Sequence, residues 1–136
     1  MSYLIKRSEW NTSAAMILLD ATHNDPFVSL DDIAVDVQEG KCALFDVHDA
    51  EAQHIASFVI RIDTHPKCDE LVIVVAAGKS PKGQSLYELI TPYVTALAKK
   101  SGCKYLRGHT FRKGVTRLME NAGYKLDEYI CRLEVV

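Results

Sequence analysis

The chain has 136 residues and a net charge of −2, and 48% of its residues are hydrophobic while 25% are charged. This length and composition fit one globular domain over residues 1–136, with a single core. They argue against a membrane protein and a secreted one, because no run approaches the ~20 apolar residues of a spanning helix and the N-terminal residues lack a signal-peptide pattern, so we expect a cytoplasmic protein.

The N-terminal third has helical patterns after a short strand. Residues 2–5 suit a first strand, and Ser8 is a candidate N-cap for a helix that runs to about His23. The segment SLDD at residues 29–32 is a capping box, which predicts a second helix that stops before Gly40.

From residue 42 the apolar period changes from helical to two. Two alternating runs flank the polar segment 48–53, and this pattern predicts an antiparallel hairpin. The next run, LVIVVAA at 71–77, is apolar on both faces, which places it at the centre of a sheet. Gly78 follows this run directly.

A long amphipathic helix is predicted after the next loop, with its end at Gly102. Pro92 lies inside it. Because proline removes one backbone hydrogen bond, we expect a kink there, and a restart of the helix with Thr91 as its cap is the alternative.

The C-terminal pattern predicts a strand at 103–109, a helix at 112–121 and a final strand at 124–135. One face of the final strand carries Tyr129, Cys131, Leu133 and Val135. The complete order predicts an α+β fold: a mixed, mostly antiparallel central sheet of about six strands, flanked by about four helices.

The charges are unevenly distributed. Residues 1–78 carry 13 acidic and 5 basic side chains, whereas residues 79–136 carry 5 acidic and 11 basic ones. An anionic ligand for the basic half, either a phosphate-rich cofactor or nucleic acid, is one interpretation, and a solvated basic face without a ligand is the other. The chain lacks the motifs of common nucleic-acid-binding domains, so nucleic acid is the weakest of these.

The loop before the long helix has features of a phosphate site. Ser80 and Pro81 are typical of a helix start, and a helix that began there would direct the amides of residues 82–85 outward at the positive end of its dipole. Gly83 would let a ligand approach, and Lys79 and Lys82 would add charge. The alternative is an ordinary helix start with no ligand.

The order of elements, with LVIVVAA followed by GKSPKGQSLYELI and later by GVTRLMENAGY, resembles the GNAT superfamily of acyl-CoA-dependent N-acyltransferases over nearly the whole chain. The resemblance implies that the central strand splays from its neighbour after a bulge, that the pantetheine arm of acetyl-CoA pairs with the exposed strand end, and that the next loop binds pyrophosphate. The family motif Gln/Arg-x-x-Gly-x-Gly/Ala falls on residues 80–85, where Gly83 is retained, Ser85 replaces a small residue and Ser80 replaces the basic or amide residue.

The resemblance therefore implies acetyl-CoA, or another acyl-CoA, as co-substrate and an unidentified amine as acceptor. The implied cofactor-binding residues are Val75, Ala76, Ala77, Gly78, Lys79, Ser80, Lys82, Gly83, Gln84 and Ser85.

The last predicted helix carries the second part of the resemblance. Arg117, Leu118, Gly123 and Tyr124 match the family pattern. The tyrosine that protonates the departing thiolate in many members falls on Met119, and a thioether cannot donate a proton.

His109 ends the predicted fifth strand and is a candidate general acid or base, although a lone histidine there is more often an ordinary polar residue. Asp63, Asp69 and Glu70 near strand ends are candidate proton acceptors, and the sequence does not select among them. The four cysteines and five histidines are scattered, so we expect no metal.

A finer resemblance is to compact GNAT-like proteins of tailed phages and prophages, carried by SLDDIAVDVQEGKCALF, the helix end AKKSGC and the basic RKGVTR. Several of that group have degenerate active-site motifs. The leading expectation is an N-acetyltransferase, and the alternative is a catalytically impaired phage-type protein with a structural or host-interaction role. A homodimer is left open, and no membrane partner is expected.

Overall fold

The computed structural model describes residues 3–110 and 113–135. Ser2 and Arg112, which the sequence placed in the first strand and the last helix, lie outside the described residues. The elements in chain order are β1 (Leu4–Ser8), α1 (Thr12–Thr22), α2 (Leu30–Gln38), β2 (Ala43–His48), β3 (His54–Thr64), β4 (Asp69–Gly78), α3 (Leu86–Lys100), β5 (Tyr105–Gly108) and α4 (Lys113–Asn121). None of these helices is long and apolar enough to cross a membrane, within the part of the chain that is described.

A five-stranded sheet in the order β1-β2-β3-β4-β5 organises the described residues. The first four strands are antiparallel to their neighbours, and β5 runs parallel to β4. The predicted mixed, mostly antiparallel α+β fold is therefore confirmed, with β4 inside the sheet as its two apolar faces indicated.

The alternation of side chains along the strands divides the core into two layers. On one face Phe58 of β3 stacks on Phe45 of β2, with ring centroids 5.2 Å apart, and α3 covers both. On the other face Val59 packs with Leu18 of α1 and Ile33 of α2. Because neighbouring residues of a strand point to opposite faces, Phe58 and Val59 serve different layers.

The predicted cap of the first helix is wrong. Ser8 is the last residue of β1, where it pairs with Leu44, and Asn11 caps α1 by accepting a hydrogen bond of 2.8 Å from the amide of Ala14. Ser8 is part of the sheet ladder and does not cap the helix. Asn11, the next residue of a type suited to capping, takes that role. Ser29 caps α2 as predicted.

The long helix α3 continues through Pro92 without interruption. The hydroxyl of Thr91 donates to the carbonyl of Tyr87 at 2.5 Å, within the same helix. The alternative in which Thr91 caps a restarted helix is therefore wrong, and the kink stays a prediction.

The predicted final strand is also wrong, since residues 124–135 contain no strand. Tyr129 and Leu133, on its expected buried face, are 83% and 89% exposed. The guanidinium of Arg132 lies 3.9 Å from the ring centroid of Phe27, so this segment passes the α1–α2 connection. Period-two alternation indicates strand propensity, but a strand forms only against a partner edge, and β5 has only four residues.

Candidate functional site

One edge of β4 loses its strand partner before the strand ends. In β4, Val75 pairs with Val59 and Ile73 pairs with Ile60, so Val74 forms a bulge. Pairing between β4 and β5 ends at Ile73, whereas β4 continues to Gly78. Residues 75–78 of β4 therefore pair with β3 on one side, while on the other side the edge of β4 after Ile73 has no strand partner, because β5 ends at Gly108. We call this unpaired edge the opening beside β4, and the splayed strand end that the resemblance implied stays a prediction.

Gly78 is required where β4 ends. Its φ is +123°, and a Cβ there would stand 2.5 Å from the Cα of Ala56 and closer still to the carbonyl oxygen of Ile55. The next amide, that of Lys79, donates to this same Ile55 oxygen at 2.7 Å. Close packing of two backbones thus fixes the direction in which the chain enters the following loop.

The loop is a compact turn, and the predicted helix start at Ser80 and Pro81 is wrong. The amide of Gln84 donates to the carbonyl of Pro81 at 3.1 Å, and the Ser80 hydroxyl donates to the carbonyl of Gln84 at 2.5 Å. Gly83 has φ +85°, a conformation that interrupts a right-handed helix.

The helix α3 begins five residues later, at a full capping box. The Ser85 hydroxyl accepts from the amide of Glu88 at 3.1 Å, and the Glu88 carboxylate accepts from the amide of Ser85 at 3.2 Å. The sequence contains this signal as Ser-x-x-Glu at 85–88. The helix starts here and not at Ser80-Pro81 because the two reciprocal hydrogen bonds of a capping box stabilise a helix start more than a single serine cap followed by proline.

This start changes which groups face a ligand. The amides of Gln84 and Ser85 are engaged within the loop, and the first amides of α3 are those of Leu86 and Tyr87. Lys79 and Lys82 are both exposed, and their contact with phosphate stays a prediction. The carboxylate of Glu88, however, occupies the positive end of the helix, where a phosphate would be most favoured.

Met119 packs over the end of β5. Its side chain is 7% exposed, and a Cβ added to Gly108 would lie 2.5 Å from the Met119 Cε. Tyr124, which follows α4, contacts Tyr87 edge-to-face and shares a hydrogen bond of 3.0 Å with the Thr91 hydroxyl. Burial raises the pKa of Tyr124 and of Tyr87, so both phenols stay protonated at neutral pH.

His109 is exposed and lies directly after the last residue of β5. Its Nε2 is 3.2 Å from Nη1 of Arg107. Because a guanidinium has no acceptor, Nε2 must accept this hydrogen bond, and the proton of the neutral ring is then on Nδ1. His109 becomes a proton acceptor at Nε2 only when Arg107 releases it.

The candidate carboxylates Asp63 and Glu70 belong to an ion-pair network at the other end of β4. Asp63 contacts Arg61 at 2.8 Å and Arg107 at 2.9 Å. Glu70 lies 3.0 Å from Nε of Arg107. The hydrogen bond from Arg61, opposed in part by desolvation, lowers the pKa of Asp63, and this makes it a poor base.

Asp63, His65 and Glu70 have ligand atoms within 4.8 Å of one another, a spacing that suits a divalent cation. The guanidinium groups of Arg61 and Arg107 already lie against these carboxylates. Two positive charges at this position oppose a third, so the geometry favours an ion-pair network over a metal site.

Comparison with family models found no match, and no curated protein matches the sequence. Solved structures do match. An acetyltransferase from Trypanosoma brucei is 17% identical with a TM-score of 0.70, and the match covers 98% of this chain and 100% of that one. A glucosamine-6-phosphate N-acetyltransferase from Arabidopsis thaliana is 11% identical with a TM-score of 0.68, covering 99% of each chain.

An aminoglycoside acetyltransferase from an uncultured soil metagenomic sample is 8% identical with a TM-score of 0.72, covering 98% of this chain and 95% of that one. At such low identities these likenesses establish the fold alone. The predicted GNAT-like fold is thereby confirmed, and it extends over almost the full length of both chains.

We expect Asp63→Asn to destabilise the protein at neutral pH by about 1–2 kcal/mol, because the bonds from Arg61 and Arg107 lose their charged acceptor. The pKa of Asp63 is lowered in the folded state, so this contribution is present above its unfolded value and lost as the pH falls through the folded value. Urea unfolding of both proteins across this range is the measurement, with Asp69→Asn as the matched control.

The difference in unfolding free energy between wild type and Asp63→Asn should therefore shrink from about pH 5 downward. A difference that stays constant, or one that grows as the solution is acidified, would contradict the assignment.

Proposed function

We propose that this protein binds acetyl-CoA or another acyl-CoA in the opening beside β4 and transfers the acyl group to an amine. The observation that carries the proposal is the release of β4 from β5 after Ile73, which leaves one strand edge for a ligand with amide groups. The pantetheine arm is such a ligand, since it carries two amide groups that can hydrogen-bond to an unpaired strand edge. The fold shared with several acetyltransferases supports the same reading.

The alternating direction of the amides along β4 indicates which of them would bind the thioester oxygen. The amide of Lys79 points to β3, where it meets Ile55. Successive strand amides point to opposite sides, so those of Ala76 and Gly78 point toward the opening. In this proposal the amide of Ala76 stabilises the oxyanion that forms when a neutral amine attacks the thioester.

Two proton transfers complete the proposed reaction. Water takes the proton of the amine in this scheme, with His109 as a candidate base once Arg107 releases its Nε2. Met119 cannot return a proton to the departing thiolate. Water or a protonated phenol such as Tyr124 would have to do so.

A second candidate function keeps the fold and omits the chemistry. Two observations favour it: the buried thioether of Met119 over Gly108, and the carboxylate of Glu88 at the start of α3. In that case the chain is a phage- or prophage-type protein with a structural or host-interaction role, in the host cytoplasm. Binding of acyl-CoA distinguishes the two candidates.

Calorimetric titration with acetyl-CoA should give micromolar binding that weakens with salt, because lysines face the phosphates. Gly83→Asp should reduce the affinity at least tenfold by placing a carboxylate in open space beside Lys82. Gly83→Asn is the control, since both residues tolerate the positive φ and only the charge differs.

No binding heat at millimolar ligand would contradict the enzyme proposal. Equal affinities for the Asp and Asn variants would show that the cofactor does not use this loop.

Glu88→Gln should bind acetyl-CoA two- to fivefold more tightly than wild type, because glutamine preserves the capping box and removes the charge that repels a diphosphate. The gain should diminish at high salt. Glu51→Gln, an equal charge change in the β2–β3 turn, is the control. An equal gain in that control, or no gain at position 88, would place the diphosphate elsewhere.

A further inference from the structure

A chain of hydrogen-bonded side chains connects the surface of α1 to the interior of the sheet. The Ser13 hydroxyl lies 2.6 Å from Nδ1 of His54, and Nε2 of His54 lies 2.7 Å from the Ser57 hydroxyl. Ser57 in turn donates to a carboxylate oxygen of Asp46 at 2.7 Å. Asp46 and Ser57 are buried, whereas Ser13 is exposed, so the chain joins a surface hydroxyl to a buried negative charge.

The direction of these hydrogen bonds follows from their buried end. Ser57 has one hydroxyl proton and gives it to the carboxylate, so its oxygen accepts from Nε2 of His54. The single proton of the neutral ring is then on Nε2, and Nδ1 accepts from Ser13. The buried carboxylate thus fixes the tautomer in which His54 is a base toward Ser13.

The buried part of the network, Asp46 and Ser57, has a structural role that its exposed end at Ser13 does not share. Asn11, the cap of α1, donates to the second carboxylate oxygen of Asp46 at 3.0 Å, and this bond docks the helix on the sheet. Asp46 is satisfied by Asn11 and Ser57 together. Ser13 is exposed, where water can bond its hydroxyl, so burial does not explain its link to His54.

The surroundings of Ser13 favour attack on a carbonyl group. Ser13 is the second residue of α1, and its own amide and that of Thr12 are too early in the helix to bond within it. Both amides belong to the positive end of the helix dipole. Such groups stabilise an oxyanion.

We propose that Ser13 is a nucleophile with His54 as its general base, and that this site accepts acyl groups from small activated esters or thioesters. Asp46, acting through Ser57, is a positioning residue, and its carboxylate 3.2 Å from Nε2 stabilises the imidazolium that forms. This activity goes beyond the acyltransfer to an amine and does not rest on it, because it uses α1 and the β2–β3 strands instead of the β4 edge.

The reaction proceeds in two balanced steps. Ser13 Oγ bonds to the acyl carbon while its proton moves to Nδ1 of His54, and the bond to the alkoxide or thiolate breaks as that group takes the proton. Water then attacks the O-acyl serine with His54 again accepting a proton, which returns to the Ser13 oxygen as the carboxylic acid leaves.

A fluorophosphonate probe tests the nucleophile, since it bonds to an activated serine oxygen and releases fluoride. Peptide mass spectrometry of the treated full chain should locate one adduct on Ser13. Ser13→Ala should lose it, while Ser101→Ala, which removes an exposed hydroxyl at the C-cap of α3, should retain it. His54→Gln should slow labelling about 100-fold. Hydrolysis of p-nitrophenyl acetate should follow the same order among these variants.

A wild-type protein that gains no adduct at Ser13 would overturn the proposal, and this result does not depend on whether any variant folds. Labelling of Ser13 at the same rate in His54→Gln would overturn it as well. Binding of acetyl-CoA, measured on the same sample, reports separately on the β4 site.

Discussion

The arrangement of the proposed acyl-CoA site depends on the unequal pairing of β4 with its two neighbours. β3 pairs with β4 from Asp69 to Gly78, whereas β5 pairs with it only as far as Ile73. The long ladder holds β4 in place, and the bulge at Val74 adds local twist where the other edge becomes free. A rigid strand with one open edge is what a ligand needs if it is to bind through backbone hydrogen bonds.

The ion-pair network lies at the opposite end of β4 from the unpaired edge. Asp63 of β3, Glu70 of β4 and Arg107 of β5 meet at the amino end of β4, so charged contacts hold three strands together there. At the carboxyl end the Gly78 backbone packs against β3 and leads into the loop. Charged contacts thus join the strands at one end of β4, the other end has an unpaired edge, and the loop bearing Lys79 and Lys82 follows that unpaired end.

The sequence predicted the elements better than their ends. The Ser29 cap, the hairpin and the central position of β4 follow from local patterns that the structure satisfies. The predicted start of α3 was wrong because the sequence contains two helix-start signals five residues apart. The reciprocal hydrogen bonds of Ser85 and Glu88 made the second signal the stronger one. The prediction of a final strand was wrong because alternation of apolar and polar residues does not show whether a strand edge is available for pairing.

Contacts between residues far apart in the sequence cannot be predicted from local patterns. Ser13 and His54 are separated by 41 positions, and no motif spacing joins them. Arg107 and Asp63 are separated by 44 positions. Such pairs become visible only when the register of the strands is known. Asp46 pairs with Ser57, three residues from His54, and β4 lies between the strands that carry Asp63 and Arg107.

A crystal structure of the protein with acetyl-CoA tests the central claim most directly. The account predicts the pantetheine arm along the free edge of β4, the thioester oxygen within hydrogen-bond distance of the Ala76 amide, and the diphosphate beside Lys79 and Lys82. A cofactor bound away from β4, or a β4 edge that closes onto β5 in crystals grown with saturating ligand, would contradict it.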